Sequence, residues 1–474
     1  MREMWRLRVM MGVVVLWAGV PTASAELPLP EAERAPDTRE AMPPPEDFLE
    51  LPRRDAPSPS QGVTAPASVE DQRAPRTPPE VERLHRSLSP EREIPRSLTG
   101  LHEHEAPETW EAQGVVTIDA LNNAAGGVST GLETVSLAEF VGVLRTDAWG
   151  WRGMEVAVHL AHALGDSPSR RVGDVSAVSG IDAGGANGFF VWDAWVQQAL
   201  PWWGGRLRVG VVDFNNDFYV SDYANLFLNG SFGMGSELGG EGGVHTYPAT
   251  GTGVQGFVEP GGGGYLNLGY WFGRPSVEGV LRNGGGGDFF AGELGWRRGV
   301  SGEAGYVKLG LGWWRDMERL THWAGEDWRA AGRSGPAFSA APKVGNSGGY
   351  LVGEVAVGRR LGLFFKAGRA DPARNRYAAS FAFGVHWSGV LPGHQEDALG
   401  LAVLQTRQSQ EFLDYAAGEG VGYFRAESVY ELTYSTRVGR YWFLQPDFQY
   451  VLQPGMDPNI GNALVVGLRL QALW

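Results

Sequence analysis

Asp193, Trp195 and Gln197 alternate along the segment Trp192–Gln198, and Arg208 follows a few residues after it. A carboxylate, an indole, an amide and a guanidinium on one wall make no nucleophile–base pair. They do suit the recognition of a small polar solute, whose water they replace with hydrogen bonds while the ring covers its C–H face. A second set stands near the C-terminal end, at Arg425, Glu427, Glu431 and Arg469. Glu155, before the first set, and Glu278, Arg282, Glu293, Arg297 and Lys308, between the two, also fall at alternate positions of apolar segments.

Motifs that would signal catalysis lack the setting they need. Gly127-Val128-Ser129-Thr130-Gly131 has the spacing of a nucleophile elbow, which requires a strand-to-helix turn, and nothing helical follows it. Gly251-Thr252-Gly253-Val254-Gln255-Gly256 has the dinucleotide-loop spacing but no strand–helix–strand unit around it, so it reads as a glycine-rich loop. His102-Glu103-His104 lies in a proline-rich stretch and reads as a solvated charge cluster. No catalytic residue, metal site or cofactor is assigned.

The elements that hold these residues repeat with period 2. Met154, Val156, Val158 and Leu160 share one face and Glu155, Ala157 and His159 the other. In Val307–Trp313, Lys308 stands opposite Val307, Leu309, Leu311 and Trp313. Near the C-terminus, Val466, Leu468, Leu470, Ala472 and Trp474 alternate with Gly467, Arg469 and Gln471. A helix would repeat every 3.6 residues, so these are strands. A soluble β-sandwich also alternates. Lys, Arg and Glu opposite continuous apolar faces favour a closed barrel with lipid outside and water inside.

Composition divides the chain. Arg2 and Arg6, the apolar run Val9–Val20 and Ala23-Ser24-Ala25 form an export signal cut after Ala25. Residues 26–109 contain 16 prolines, two glycines and dense alternating charge, so they form a disordered arm expected in the periplasm. From residue 110 to 474 glycine dominates the turns. The chain has 69 glycines, 18 Trp, 14 Tyr, 21 Phe and no cysteine, which suits aromatic girdles and excludes a disulfide framework. A net charge of −14 argues against nucleic acid as a partner. At roughly 20–25 residues per strand and connection, 365 residues give an all-β antiparallel barrel of sixteen strands, with eighteen the alternative.

The series Trp192–Gln198, Leu207–Gly210, Phe227–Gly233, Leu444-Gln445-Pro446-Asp447-Phe448-Gln449-Tyr450-Val451 and Gly467-Leu468-Arg469-Leu470 resembles the carbohydrate-selective, OprB-type porins. The resemblance implies a sixteen-stranded barrel in the bacterial outer membrane for passive uptake of glucose-like sugars. On that reading Asp193, Trp195, Gln197, Arg208, Arg425, Glu427, Glu431 and Arg469 line the pore. Other expected partners are outer-membrane lipids and lipopolysaccharide, the barrel-assembly machinery through the last strand and Trp474, and peptidoglycan through the arm. The alternatives are a general or ion-selective porin, a barrel enzyme with a catalytic pair at its rim, and a cell-wall tether.

Overall fold

The computed structural model describes residues 109–474, apart from 201–202, 241–242, 277–286, 321–342, 393, 395–396 and 419. The export signal, the arm and the His102–His104 cluster lie outside the described residues, as do Glu278 and Arg282. The described chain forms sixteen strands. The first five are β1 (Trp110–Gly127), β2 (Gly131–Arg145), β3 (Met154–Gly165), β4 (Gly188–Leu200) and β5 (Gly205–Val212). After a long connection follow β6 (Gly251–Gly261), β7 (Gly264–Trp271), β8 (Phe289–Arg298), β9 (Val307–Leu320) and β10 (Lys343–Val357). Then come β11 (Leu361–Ala370), β12 (Tyr377–Ser388), β13 (Ala398–Gln408), β14 (Ala426–Val438), β15 (Trp442–Leu452) and β16 (Gly461–Leu473). Each pairs antiparallel with its sequence neighbours, and β1 pairs with β16, so the sheet closes.

Alternation sets which face each residue takes. On β9, Lys308 is buried inside while Leu309, Leu311 and Trp313 are exposed outside. On β16, Arg469 and Gln471 point in, and Val466, Leu468 and Trp474 point out. Closure leaves no unpaired strand edge, the condition for a sheet to sit in lipid. The seam is tightened by one close approach. The Trp474 indole lies over Gly114, where any Cβ would stand 2.4 Å from the ring. Gly114 and Trp474 also exchange backbone hydrogen bonds of 2.9 and 3.1 Å, which carry the β1–β16 ladder past Leu473.

The two rims differ. On the rim where β1 begins and β16 ends, connections such as 262–263, 358–360 and 439–441 are tight turns, ringed by exposed Trp110, Trp203, Trp296, Trp387, Trp442 and Trp474. The opposite rim carries the long connections, including 166–187 and 213–250. Nearly every residue from Asp213 to Leu238 is buried, so this connection folds into the barrel instead of standing over it. Residues 127–131 form the end of β1, a turn and the start of β2, with Gly127 and Gly131 at φ of +65° and +144°; no elbow helix follows.

Two local expectations are corrected. Residues 251–256 are strand β6, not a loop. Two of their glycines make room for packed rings: an added Cβ would stand 2.1 Å from His245 Nδ1 at Gly251 and 2.8 Å from the Trp271 ring at Gly253. Trp192, which strict alternation with Asp193 and Trp195 would put on the lipid face, is fully buried inside. Between His159 and Leu160 the register slips from Asp193 to Val191, so Trp192 is the extra residue of a β-bulge. A bulge places two successive side chains on one side of the sheet, and Trp192 turns inward beside Asp193.

The inside–outside assignment makes a quantitative prediction. Leu468→Arg, on the outer face at the middle of β16, should cost about 2–4 kcal/mol, whereas Leu132→Arg, outward at the start of β2, should cost about 0–1 kcal/mol. Denaturant unfolding of the barrel refolded into phosphocholine vesicles measures both.

Candidate functional site

The barrel's inner wall bears charges on most strands, and the inserted connection meets them with its backbone. Glu293 Oε2 accepts from Tyr219 N–H at 2.9 Å and from the Tyr350 hydroxyl at 2.6 Å, while its Oε1 accepts from the Tyr265 hydroxyl at 2.7 Å. Glu354 accepts from Tyr223 N–H and from the hydroxyls of Ser221 and Tyr306. Glu431 accepts from the N–H groups of Leu228 and Asn229. The lysines do the converse. Lys308 Nζ donates to the Val220 carbonyl at 2.9 Å, and Lys366 Nζ to the carbonyls of Phe232 and Gly233. A loop placed inside a barrel must satisfy backbone groups far from bulk water. Here carboxylates serve its N–H groups and ammonium ions its carbonyls, each bond worth about 1.5–3 kcal/mol when one partner is ionised.

Apolar packing completes the insertion. Phe214, Phe218, Trp271, Phe289 and Trp314 stack between connection and wall. Asp213 starts the connection. Its carboxylate caps Asn215 N–H at 2.7 Å and accepts from Trp192 Nε1 at 2.6 Å. Burial, and then the nearby Asp193, push Asp213 up to about 7 from the ordinary 3.8. Burial also holds His245 down to about 4, so its ring is neutral.

The shorter connection 166–187 enters from the neighbouring sector. Glu427 anchors it, accepting from Val175 N–H, Ser176 N–H and Ser176 Oγ, and from Gly455 N–H at 2.8 Å. The two connections then bond to each other. Gly180 N–H donates to Leu228 O at 2.6 Å, Gly230 N–H to Ala177 O at 2.7 Å, and the Tyr247 hydroxyl to Ile181 O at 2.9 Å. Together they bridge the lumen. Beside this bridge lies a small cleft of about 20 Å³, lined by Gly180, Ile181, Asn225, Leu228, Asn229 and Arg469.

The residues singled out in the sequence separate into three groups. Asp193, Trp195, Gln197 and Arg208 come together as expected, yet they face the inserted connection. Arg208 lies 4.2 Å over the Trp195 ring and donates to Gln197 Oε1, Gln255 Oε1 and Asp217 Oδ2, the last at 2.6 Å. Asp193 accepts from Asp213 N–H and Asn216 Nδ2, both at 2.7 Å. Glu427 and Glu431 are backbone anchors. Arg469 alone of the eight lines the cleft, clamped by Asp119 at 2.7 and 2.8 Å. Arg425 leaves the lumen set: it precedes β14 and is exposed at the long-connection rim. Of the wider set, Glu155, Glu293, Arg297 and Lys308 point inward; Glu155 bonds Arg145 and Gln197, and Arg297 pairs with Glu259. Asp119, Asp217, Glu354 and Lys366 were not singled out. Parity marked all but Asp217 as inward charges, and nothing in the sequence marked Asp217. Among the described residues, none group three or more His, Cys, Asp or Glu side chains able to hold a metal ion.

The profile of the family described as carbohydrate-selective porin, OprB family, matches residues 146–472. The chain belongs to this family. The porin therefore is an outer-membrane sugar channel. Among solved structures, Pseudomonas putida OprB at high pH is similar with a TM-score of 0.66 at 18% identity, over 77% of this chain and 94% of that one. The Acinetobacter baumannii outer-membrane channel DcaP aligns with a TM-score of 0.48 at 10% identity, over 79% of this chain and all of that one. No curated protein matches the chain. The family match begins at Asp147's neighbour Thr146, so β1 and β2, which close the porin's barrel, lie before it.

Two outcomes follow for the bridge. Glu431→Leu strands the N–H groups of Leu228 and Asn229 and should cost about 1–3 kcal/mol for each; single-channel recordings should show larger, noisier conductance. Asp213 is protonated more readily in the folded loop than in an unfolded chain. Its contribution to loop stability is thus full below about pH 4 and is lost as pH rises through about 7. Current noise should grow over that interval, and Asp213→Asn should flatten the dependence.

Proposed function

We propose that the porin passes glucose-like sugars by passive diffusion along the lumen, past the small cleft between the bridging connections and the β1–β16 seam. The observation that supports this reading is the pairing of arginines on the inner wall with carboxylates. Among the described residues, Arg469 is bound to Asp119, Arg208 to Asp217, and Arg145 to Glu111 and Glu155. A wall of paired charges keeps strong hydrogen-bonding groups yet offers little net field to a passing ion, which suits a neutral polyol.

In the cleft, the Arg469 guanidinium and the amides of Asn225 and Asn229 present polar groups beside Ile181 and Leu228. Hydroxyl groups and the C–H face of a sugar ring match that mix. A transit site must release what it binds, so millimolar affinity is expected, on the order of −4 kcal/mol. Trp195 is not proposed as a stacking platform, because Arg208 covers its ring.

Planar-bilayer recordings with added sugar test the reading. Glucose should reduce the ion current of the wild-type channel at millimolar concentration. The double variant Asp119→Asn/Arg469→Gln, which removes the pair without leaving a lone buried charge, should raise the blocking concentration about tenfold, equivalent to about 1.4 kcal/mol. If neither glucose nor related sugars ever reduce the current, the sugar assignment fails and a general porin is the better description.

A further inference from the structure

The outer face of the barrel carries charges of its own at the long-connection rim. Arg315 on β9, Arg369 on β11 and Arg407 on β13 sit at outward positions and are exposed. Register places them nearly level. Arg369 and Arg407 both pair with Ala379 of β12. Arg315 pairs with Ser347 of β10, two residues from Gly349, the partner of Arg369. Neighbouring strands lie about 4.8 Å apart, so these arginines recur roughly every 10 Å around the wall. The outward residues between them are Ser347, Gly349 and Ala379, too small to fill the gaps.

These guanidinium groups contrast with those of the lumen. Among the described residues, Arg315 and Arg369 have no carboxylate partner. Arg407 donates only to Gln405 Oε1, at 2.6 Å, and lies 5.2 Å from the Phe381 ring centroid. Their depth is fixed by the strands that carry them. Arg315 stands one outward step beyond exposed Trp313, and Arg369 two steps beyond exposed Phe365. An arginine facing lipid at the bilayer centre costs about 2–4 kcal/mol and near the interface about 0–1. The row therefore sits where headgroups lie. The anion met at that depth is phosphate, and the planar fork of arginine binds phosphate through paired N–H bonds.

The geometry points to a binding row for phosphorylated glycolipid headgroups of the surrounding leaflet, on the outer face of β9–β13. Its repeat lets two phosphates at opposite ends of one disaccharide headgroup engage neighbouring arginines. The row rests on the outer-membrane position of the barrel and not on the identity of the solute inside it.

Native mass spectrometry of the full chain in detergent tests it. The probes are bis-phosphorylated lipid A, the same lipid stripped of its phosphates, and inorganic phosphate. Wild-type protein and a control, R359Q/R440Q in the turns of the other rim, should bind bis-phosphorylated lipid A equally. The triple variant R315Q/R369Q/R407Q should bind it about tenfold more weakly. Undiminished binding by the triple variant overturns the proposal. So does equal binding of the stripped lipid, which would assign the contact to acyl chains, or equal binding of inorganic phosphate, which would make it a free-anion site. Conductance recorded on the same variants shows that the barrels are folded, and R369Q alone, with an expected loss of about threefold, carries the test if the triple variant does not assemble. Sugar block in those recordings reports on the pore separately, so the two readings fail independently.

Discussion

The structure depends on one kind of bond: a buried wall charge that satisfies the backbone of a loop folded into the barrel. Glu293, Glu354, Glu427 and Glu431 accept N–H groups, and Lys308 and Lys366 donate to carbonyls. A sixteen-stranded barrel is wide enough to leave an open aqueous channel. Without these anchors, residues 213–250 would gain more by keeping their polar backbone in bulk water. With them, the loop narrows the lumen and replaces a wide hole with a shaped cleft. Removing either partner leaves a buried polar group unsatisfied, which costs more than the bond itself contributes.

The same economy of pairing gives the channel its character. A lumen lined by this many carboxylates and guanidinium groups could carry a strong field. Pairing across strands, as in Asp119 with Arg469 and Arg208 with Asp217, keeps opposite charges a few ångströms apart and collapses that field to short range. Outside, exposed Arg315, Arg369 and Arg407 have no carboxylate partner among the described residues.

Rigidity follows from how the two connections interlock. The 166–187 connection is tied to β14 through Glu427 and to the longer connection through Gly180 and Gly230. Aromatic stacking from Phe214 through Phe289 to Trp314 ties the longer connection to β8 and β9. Neither loop is held from one side alone, so the bridge they form keeps its shape.

Most of the wall could be read from the sequence, because a strand's two-residue period and the cost of charge in lipid together assign every side chain to a face. Lys308, Glu293 and Arg469 went inward and Leu311, Trp313 and Leu468 outward on that ground alone. The strand number followed from length. Trp192 escaped because a single bulge residue shifts the period, and Gly251–Gly256 escaped because glycine is equally at home in a loop and beneath a packed ring. The site itself was not legible. Asp193, Trp195, Gln197 and Arg208 do converge, but their partners are Asp217, Asn216 and the backbone at Asp213, on a connection whose inward course no local pattern marks. Whether an inward charge meets water or another segment of chain depends on what fills the space in front of it, and only the closed barrel with its inserted loops decides that.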